Sequence, residues 1–186
     1  MARNEVVDKD NGWDRIQKQT VEIKGYGVKV GVLGDKNRDD GGDMVMIALV
    51  NEFGAEINHP GGTPYKIVEG GHAVFTSKGD PEATGVTQPH TINIPSRSFI
   101  RGAYGEHRKE IGETKDRLAR LVLAGKLDVD RAMKVLGQEH VEQIREYMTA
   151  LDQPPNAPST VARKRGSTNP LIDTGQLRRS IDWERD

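Results

Sequence analysis

The segment spanning residues 94–101, IPSRSFIR, constrains the fold most, because it joins an extended stretch to the longest helical pattern in the chain. The four residues that end at Ile94 alternate polar and apolar side chains, as a half-buried strand does. Pro95 removes a backbone donor and restricts the residue before it to extended geometry. Ser96 or Ser98 can cap the helix that follows. The segment therefore predicts a strand that turns directly into a helix over residues 98–124.

The first turn of this predicted helix carries two arginines, Arg97 and Arg101, on either side of Phe99. The helix macrodipole disfavours cations at this end by about 0.3–1 kcal/mol. The arginines either extend along the surface or meet carboxylates of another segment or subunit, and the sequence leaves both alternatives open. Phe99 is the first large apolar group after the proline, so we expect it to be buried beneath a helix predicted for residues 44–53.

The composition favours a chain that has flexible segments or completes its burial against other chains. Hydrophobic residues make up 34% of the 186 residues and charged residues 30%, against about 45–50% apolar residues in a typical globular domain. The absence of cysteine excludes disulfides and thiolate metal sites. No apolar run approaches the ~18 residues of a membrane span, and the N-terminus does not resemble a signal peptide. We therefore expect a soluble protein made in a cytoplasm, with no membrane partner.

The predicted body covers residues 1–153 and has an α+β fold. A short helix over residues 12–19, with Trp13 facing inward, precedes a hairpin or bent strand over residues 21–32. Asp43 caps the helix over residues 44–53, which is apolar around much of its girth, as a central packed helix is. Helices over residues 98–124 and 128–151 form an antiparallel pair. We expect a small, mostly antiparallel sheet packed by the central helix and this long pair.

Residues 58–90 have the least core-like composition and should project from the body. Two short strand patterns, 65–68 and 73–76, are joined by a glycine-rich turn and predict a hairpin. A polar loop rich in glycine and proline follows. Because so thin an extension cannot bury both of its faces, we expect Tyr65 and Phe75 to contact another protein.

Residues 154–186 form a predicted C-terminal arm, separated from the body by three prolines. The arm contains a basic run, Arg163-Lys164-Arg165, followed by a short helix capped by residue 173 or 174. Leu177 and Ile181 share the apolar face of that helix, and Arg178 and Arg179 lie between them. So short a helix must dock on its own subunit or on a neighbour. We favour a neighbour, because the acidic stretch 35–56 complements the basic arm in a head-to-tail contact.

Motifs of catalysis and ligand binding are missing from the sequence. We find no His-Glu-x-x-His, Gly-x-Ser-x-Gly, Walker A or Gly-x-Gly-x-x-Gly pattern. The loop that begins at Asp35 half resembles a calcium loop, but Asp40 and Met46 replace its required glycine and glutamate, so a solvated turn is favoured. We therefore expect no catalytic, cofactor-binding or metal site, and no enzyme.

Three stretches together resemble the bacteriophage head–tail neck and tail-completion proteins, a group that includes virion-morphogenesis proteins of Mu-like phages. Residues 47–54, IALVNEFG, resemble the family's A-x-x-x-E-F-G. Residues 94–101 resemble its I-P-A-R-P-F-L-R, with Ser96 and Ser98 in place of the usual alanine and proline. Residues 169–181, NPLIDTGQLRRSI, resemble its P-L-x-x-T-G-x-L-R-x-S-I.

The resemblance implies a non-enzymatic virion protein that forms a ring between the head connector and the tail tube. Implied partners are other copies in a hexamer or dodecamer, head connector or collar proteins, and tail terminator, tube or sheath proteins. A tail-terminator ring is equally compatible with the motifs, and a ring could touch packaged DNA non-specifically. A DNA-binding protein that uses the basic arm is a separate alternative, but the net charge of -1 and the lack of aromatic residues around residues 163–165 argue against specific recognition.

Overall fold

The computed structural model describes residues 12–34, 41–161, 164 and 166–186, and the fold is α+β. The elements, in chain order, are α1 (Trp13–Lys24), β1 (Val28–Val32), α2 (Met44–Phe53), β2 (Ala55–His59), β3 (Pro64–Val68), β4 (His72–Phe75), β5 (Gly85–Val86), β6 (His90–Ile94), α3 (Phe99–Leu123), α4 (Val129–Ala150), α5 (Pro158–Val161), α6 (Gln176–Ser180) and β7 (Ile181–Arg185). In the described part of the chain the strands form three small antiparallel sheets, β1–β7, β2–β6 and β4–β3–β5.

The helices α3 and α4 pack against each other and form the centre of the body, as the sequence predicts. Asp128 begins α4, because its carboxylate accepts a hydrogen bond from the backbone N–H of Arg131 at 2.8 Å. Phe99, at the start of α3, is fully buried in the same apolar cluster as Met44 and Ala48 of α2. The prediction that Phe99 lies beneath this helix is confirmed.

The helix α2 has the predicted ends but is not covered on all sides. The Asp43 carboxylate accepts hydrogen bonds from the first turn at 2.8 and 3.1 Å, and Gly54 ends the helix at φ 78°. On the outer face, the side chains of Met46, Leu49 and Phe53 remain 47–60% exposed. The apolar residues around α2 therefore form two faces, and only one of these faces packs on the body.

The prediction of a hairpin or bent strand over residues 21–32 is confirmed only for its second half, where β1 is a strand, and is wrong for residues 21–24. Residues 21–24 continue α1, which packs on α3 and α4, and β1 pairs instead with β7 at the other end of the chain. A local sequence pattern cannot reveal that β1 pairs with a strand so distant in sequence. Two apolar residues alone, at positions 21 and 23, are compatible with the spacing of a helix or of a strand. Trp13, expected to face inward, is largely exposed on α1.

Residues 55–94 form an extension that leaves the body as a two-stranded ribbon and ends in a three-stranded tip. The ribbon is β2 paired with β6, and the tip is β3 flanked by β4 and β5. The hairpin predicted within the tip is confirmed, whereas β2 and β5 were not predicted. Strand β6 was expected to be half-buried, but most of it is exposed because, among the described elements, β2 is its only extensive contact.

The C-terminal arm docks on its own chain, so the expected docking on a neighbour is wrong. Leu171, Leu177 and Ile181 are buried in the core cluster that contains Phe99. Helix α6 begins after Gly175 in left-handed geometry rather than at a side-chain cap at residue 173 or 174. Ile181, expected on that helix, begins β7, which pairs with β1 over five residues. This pairing binds the arm to the body through backbone as well as apolar contacts.

We predict that Gly137→Ala destabilises the protein, although alanine usually stabilises a helix by about 0.5–1 kcal/mol relative to glycine. Gly137, in the middle of α4, provides space for the indole of Trp183, and a Cβ at this position would lie 2.4 Å from the Trp183 ring. We expect a loss of about 1–3 kcal/mol in the free energy of unfolding, as for an overpacked core. Gly112→Ala in α3 is the matched control, since a Cβ at that position would point into open space. Urea denaturation that finds both variants equally stable would contradict the contact.

Removal of the buried side chain at the start of β7 should be costly if the arm completes the body. Ile181 has no exposed surface, so Ile181→Ala should lower the free energy of unfolding by about 2–5 kcal/mol. Ile92→Ala, at an exposed position of the ribbon, should change it by about 0.5 kcal/mol or less. Thermal and urea denaturation of the two variants measure the difference. A wild-type melting temperature for Ile181→Ala would mean that the arm does not contribute to the core.

Candidate functional site

The junction between the body and the extension is built around the carboxylate of Glu52, in the last turn of α2. Glu52 is only 4% exposed. Its carboxylate oxygens accept hydrogen bonds from the Ser98 hydroxyl at 2.7 Å, the Ile100 N–H at 2.9 Å, and the Arg101 side chain and N–H at 2.9 and 3.2 Å. A side chain of one helix thus caps the N-terminus of another. Ser98 occupies the cap position of α3 but makes no cap bond of its own.

This arrangement explains how Arg101 is tolerated at the unfavourable end of α3. A negative charge at a helix N-terminus is stabilising, and Glu52 both supplies it and pairs with the guanidinium of Arg101. Of the two alternatives that the sequence leaves open, Arg101 follows the second, since it meets a carboxylate of another segment. Arg97 differs: it is buried and donates to the carbonyl oxygens of Pro154 and Pro155 at 2.8 and 3.0 Å.

The hydrogen bonds also determine the charge state of Glu52. Burial of the carboxylate raises its pKa, but the bonds from Ser98, Ile100 and Arg101 lower it by more, so the pKa lies below its ordinary value of 4.5. Glu52 is therefore ionised at neutral pH.

Backbone contacts at the junction fix the two ends of the extension to the body. The Ser96 hydroxyl and the Arg101 guanidinium donate to the carbonyl oxygen of Glu52 at 2.8 and 3.0 Å. A Cβ on Gly54 would lie 2.8 Å from the carbonyl oxygen of Ile94, so the strands that enter and leave the ribbon meet at a distance that only glycine allows. We call Glu52, Ser96, Ser98, Ile100 and Arg101 the Glu52 cluster.

The C-terminal stretch NPLIDTGQLRRSI joins the same core through Asn169. The Asn169 amide donates to the carbonyl oxygens of Met148 and Leu151 at 3.0 Å, and its side-chain oxygen accepts from the N–H of Leu171 at 2.9 Å. Leu171 and Leu177 then pack in the cluster that contains Met44 of α2. All three stretches that carry the family resemblance therefore meet around one apolar core.

Some of the residues predicted to contact partners are buried in their own chain, and the others are partly or largely exposed. Phe99, Leu177 and Ile181 are core residues and Arg97 is buried, so these four side chains contact their own chain. Tyr65 is half-buried in the tip. Exposed positions are occupied by Phe75, Arg101, Arg178 and Arg179. For the exposed residues and for Tyr65, contact with a partner stays a prediction.

Arg178 and Arg179 lie beside a polar crevice between α4 and α6. Arg178 donates to the Thr149 hydroxyl and Arg179 to the Thr174 carbonyl oxygen, each at 3.0 Å. Glu142 and Arg145 of α4, an ion pair at 2.8 Å, also line this crevice. The mixture of signs gives no strongly basic surface here. Of the predicted basic run, Arg163 and Arg165 lie outside the described residues, and the Lys164 ammonium donates to the carbonyl oxygens of Asn169 and Ile172.

Exposed apolar residues on the outer face of α2 were missed by sequence reasoning. The Arg101 guanidinium lies 4.6 Å from the centre of the Phe53 ring, so the outer face of α2 is continuous with the Glu52 cluster. The sequence contains a pattern that predicts this exposed face, because Met46, Leu49 and Phe53 recur at helical spacing on the side of the helix opposite Met44 and Ala48.

Within residues 12–34, 41–161, 164 and 166–186, no group of three or more acidic or histidine side chains is placed to hold a metal ion. Most of the calcium-like loop, residues 35–40, lies outside this range. None of the described helices is both long enough and apolar enough to cross a membrane. Comparison of the chain with protein-family models, with curated proteins and with solved structures finds no match.

Replacement of Glu52 by glutamine should destabilise the protein in a pH-dependent manner. The NH₂ group of the amide would face N–H and O–H groups whose hydrogen bonds the carboxylate now accepts. We expect this mismatch to lower the free energy of unfolding by about 1–3 kcal/mol at neutral pH. Because the folded-state pKa of Glu52 lies below 4.5, this contribution is complete above pH 4.5 and is lost as the pH falls through the folded-state value. Urea denaturation from pH 7 to pH 3 should show the stability of wild type and Glu52→Gln converging on acidification.

Glu56→Gln is the matched control, because Glu56 is exposed on β2. Its stability should follow that of wild type within about 0.5 kcal/mol throughout the series. A constant difference between wild type and Glu52→Gln across the whole pH range would show that ionisation of Glu52 is not what stabilises the junction.

Proposed function

We propose that the chain is a structural virion protein of a tailed bacteriophage, which forms an oligomeric ring in the neck, completes the tail and joins it to the head connector. The supporting observation is that the three motif stretches, which are far apart in sequence, meet around one core. Glu52 and Arg101 belong to two of these stretches and bind each other directly. Leu177, from the third stretch, packs in the cluster that contains Ala48 and Phe99.

The chemistry of these residues supports a scaffold rather than a catalyst. Glu52 is engaged by hydrogen bonds from Ser98, Ile100 and Arg101, and Arg97 is engaged by two carbonyl oxygens. These groups hold one segment of the chain against another. The motif residues thus position α2 and the extension, and these two parts of the chain would make the contacts with other virion proteins.

The distribution of apolar residues supports an assembly protein. Large apolar side chains remain exposed on the outer face of α2 and along both parts of the extension. Surfaces of this kind commonly mark protein interaction sites. We propose that they contact other copies of the chain and the neighbouring connector, terminator, tube or sheath proteins of the neck.

Deletion of the gene from a phage that encodes this chain tests the proposal. If the protein completes the tail, DNA-filled heads and free tails of normal length should accumulate, and expression of the wild-type chain should restore joined particles. If it instead terminates the tail tube, the free tails should vary in length. Electron microscopy of lysates distinguishes the two outcomes. Infectious, joined particles at wild-type yield without the chain would refute both roles.

A further inference from the structure

The ribbon ends in two histidines that lie directly opposite each other. His59 is the last residue of β2 and His90 the first of β6, and the two are paired in the register of the strands. Their ring centres are 5.1 Å apart, and the ring planes meet at 32°. His59 is half-buried, whereas His90 is exposed. We call these two side chains the histidine pair, and they lie where the ribbon ends and the path to the tip begins.

Two short segments, 60–63 and 87–89, connect the ribbon to the tip and contact each other through the backbone. The Gly62 N–H donates to the carbonyl oxygen of Thr87 at 2.7 Å. Gly61 has left-handed backbone geometry, at φ 81°, and a Cβ on it would lie 2.6 Å from the same carbonyl oxygen. We call these two segments the tip junction. Their close approach fixes the direction in which the tip leaves the ribbon.

The hydrogen-bond partners of the two rings determine where each ring carries its proton. The Gly61 N–H can only donate, so the Nδ1 atom of His59, 3.0 Å away, accepts and is unprotonated. The Gln88 carbonyl oxygen can only accept, so the Nδ1 atom of His90, 2.8 Å away, donates. His59 therefore holds the tip junction only while its ring is neutral, whereas His90 keeps its bond in either charge state.

Protonation of the histidine pair opposes the observed geometry in two ways. A proton on Nδ1 of His59 would face the Gly61 N–H donor, so the hydrogen bond between them would be lost. Two charged rings would also place like charges directly opposite each other, which destabilises a pair of strands. The close approach of Gly61 to residues 87–89 leaves no space for the ring and the peptide to separate while the junction keeps its contacts.

No carboxylate of the ribbon or the tip junction offsets these charges. The face of the ribbon that carries the histidine pair continues with Ile57 and its partner strand's isoleucine. Glu56 is the one other charged residue of β2 and β6, and it lies on the opposite face. Residues 60–63 and 87–89 contain no charged residue. In the tip, ion pairs join Lys66 to Asp80 and Glu82. Among the described elements, none besides the two strands themselves packs extensively on the ribbon.

We propose that the histidine pair is a pH-sensitive switch, which holds the tip at a fixed angle to the ribbon when neutral and releases it when protonated. Free histidine has a pKa of about 6.5, so the change falls between neutral and mildly acidic pH. The open junction binds protons that the closed junction excludes, so opening increases as the pH falls. The ratio of open to closed molecules should rise by up to about tenfold per pH unit for each such proton.

The switch would determine how the extension presents its exposed apolar side chains. At neutral pH the tip would hold Ile67 and Phe75, which are 54% and 52% exposed, in one direction relative to the body. In mild acid the same side chains would sample a range of directions. The inference goes beyond the proposed function and does not depend on it, because it concerns the geometry of a single chain.

Single-molecule energy transfer between a dye on the tip and a dye on the body measures the switch directly. The wild-type chain has no cysteine, so Lys78→Cys and Lys109→Cys give two exposed attachment points. With EDTA present to exclude bridging metal ions, the distribution of transfer efficiency should be a single narrow peak at pH 7.5. It should broaden or shift at pH 5.5. An unchanged distribution would overturn the proposal.

Glu56→Cys combined with Lys109→Cys is the matched control for the base of the extension. Glu56 lies on the ribbon, before the tip junction, and is exposed. The pKa of Glu52 lies below 4.5, so the Glu52 cluster keeps its charge at pH 5.5 and the ribbon should stay in place. The 56–109 distribution should therefore be the same at both pH values. If it changed as much as the 78–109 distribution, the movement would lie at the base of the ribbon, and the proposal would be wrong.

Replacement of His59 by asparagine, in the 78–109 labelled chain, separates protonation of this ring from other effects of pH. The amide oxygen of asparagine accepts from the N–H two residues later in an Asx turn, and it does not titrate. His59→Asn should therefore keep the narrow peak at pH 5.5. His59→Leu removes the acceptor and should give the broad distribution at both pH values. A full pH response in His59→Asn, or a narrow peak throughout in His59→Leu, would overturn the proposal.

His107→Asn is the matched control for the loss of a histidine elsewhere. His107 lies on α3 and bonds to Glu110, so this variant should respond to pH as wild type does. Loss of the response in His107→Asn would place the switch in the body and refute the role of the histidine pair.

The switch and the neck function fail independently, because one is measured on the purified chain and the other on the phage. A pH response of the 78–109 distance, together with normal joined particles after gene deletion, would refute the neck function and leave the switch standing. Unjoined heads and tails after deletion, together with no pH response, would refute the switch and leave the neck function standing.

Discussion

The buried carboxylate of Glu52 is the interaction on which the arrangement of body and extension depends. It neutralises the N-terminal end of α3, offsets the charge of Arg101 and lies one turn from the point where the chain enters the ribbon. A buried carboxylate without partners would be strongly destabilising, and here every partner comes from the segment that leaves the ribbon. The energetic need to satisfy one charge thus forces both ends of the extension to meet at one place. Gly54 makes the meeting sterically possible, because any side chain there would collide with the backbone at Ile94.

The apolar residues of the chain are divided between two tasks. One set fills the core between α2, α3, α4, α6 and the β1–β7 sheet, and Phe99, Ile144, Met148 and Ile181 lie at its centre. The other set remains exposed on the outer face of α2 and on the extension. On the extension this second set stays exposed because no helix in the described part of the chain packs extensively on the ribbon or the tip. Assembly with other chains is the physical means by which such surfaces are removed from water.

The two ends of the described chain are joined by long-range contacts. Strand β7 pairs with β1, and Trp183 packs against the bare backbone of Gly137 in the middle of α4. Glycine at such a position weakens a helix in isolation, so its presence is explained only by the ring that lies on it. The C-terminal arm thus contributes β7, α6 and three side chains of the core cluster to the body, and the contacts proposed with other copies fall instead to the outer face of α2 and to the extension.

The local elements of the fold could be predicted from the amino-acid sequence. The capped helix at Met44–Phe53, the helical pair, the hairpin in the tip and the burial of Phe99 follow from caps, glycines and apolar periodicity, which act between residues close in the chain. The contacts between distant segments became apparent only in the folded chain. The pairing of β1 with β7, the binding of Glu52 to Arg101 and the docking of the C-terminal arm on its own chain join residues about 50 to 150 positions apart. Local propensity carries no information about such partners, because the free energy that selects them comes from satisfying a buried charge and covering an apolar face after the chain has folded back on itself.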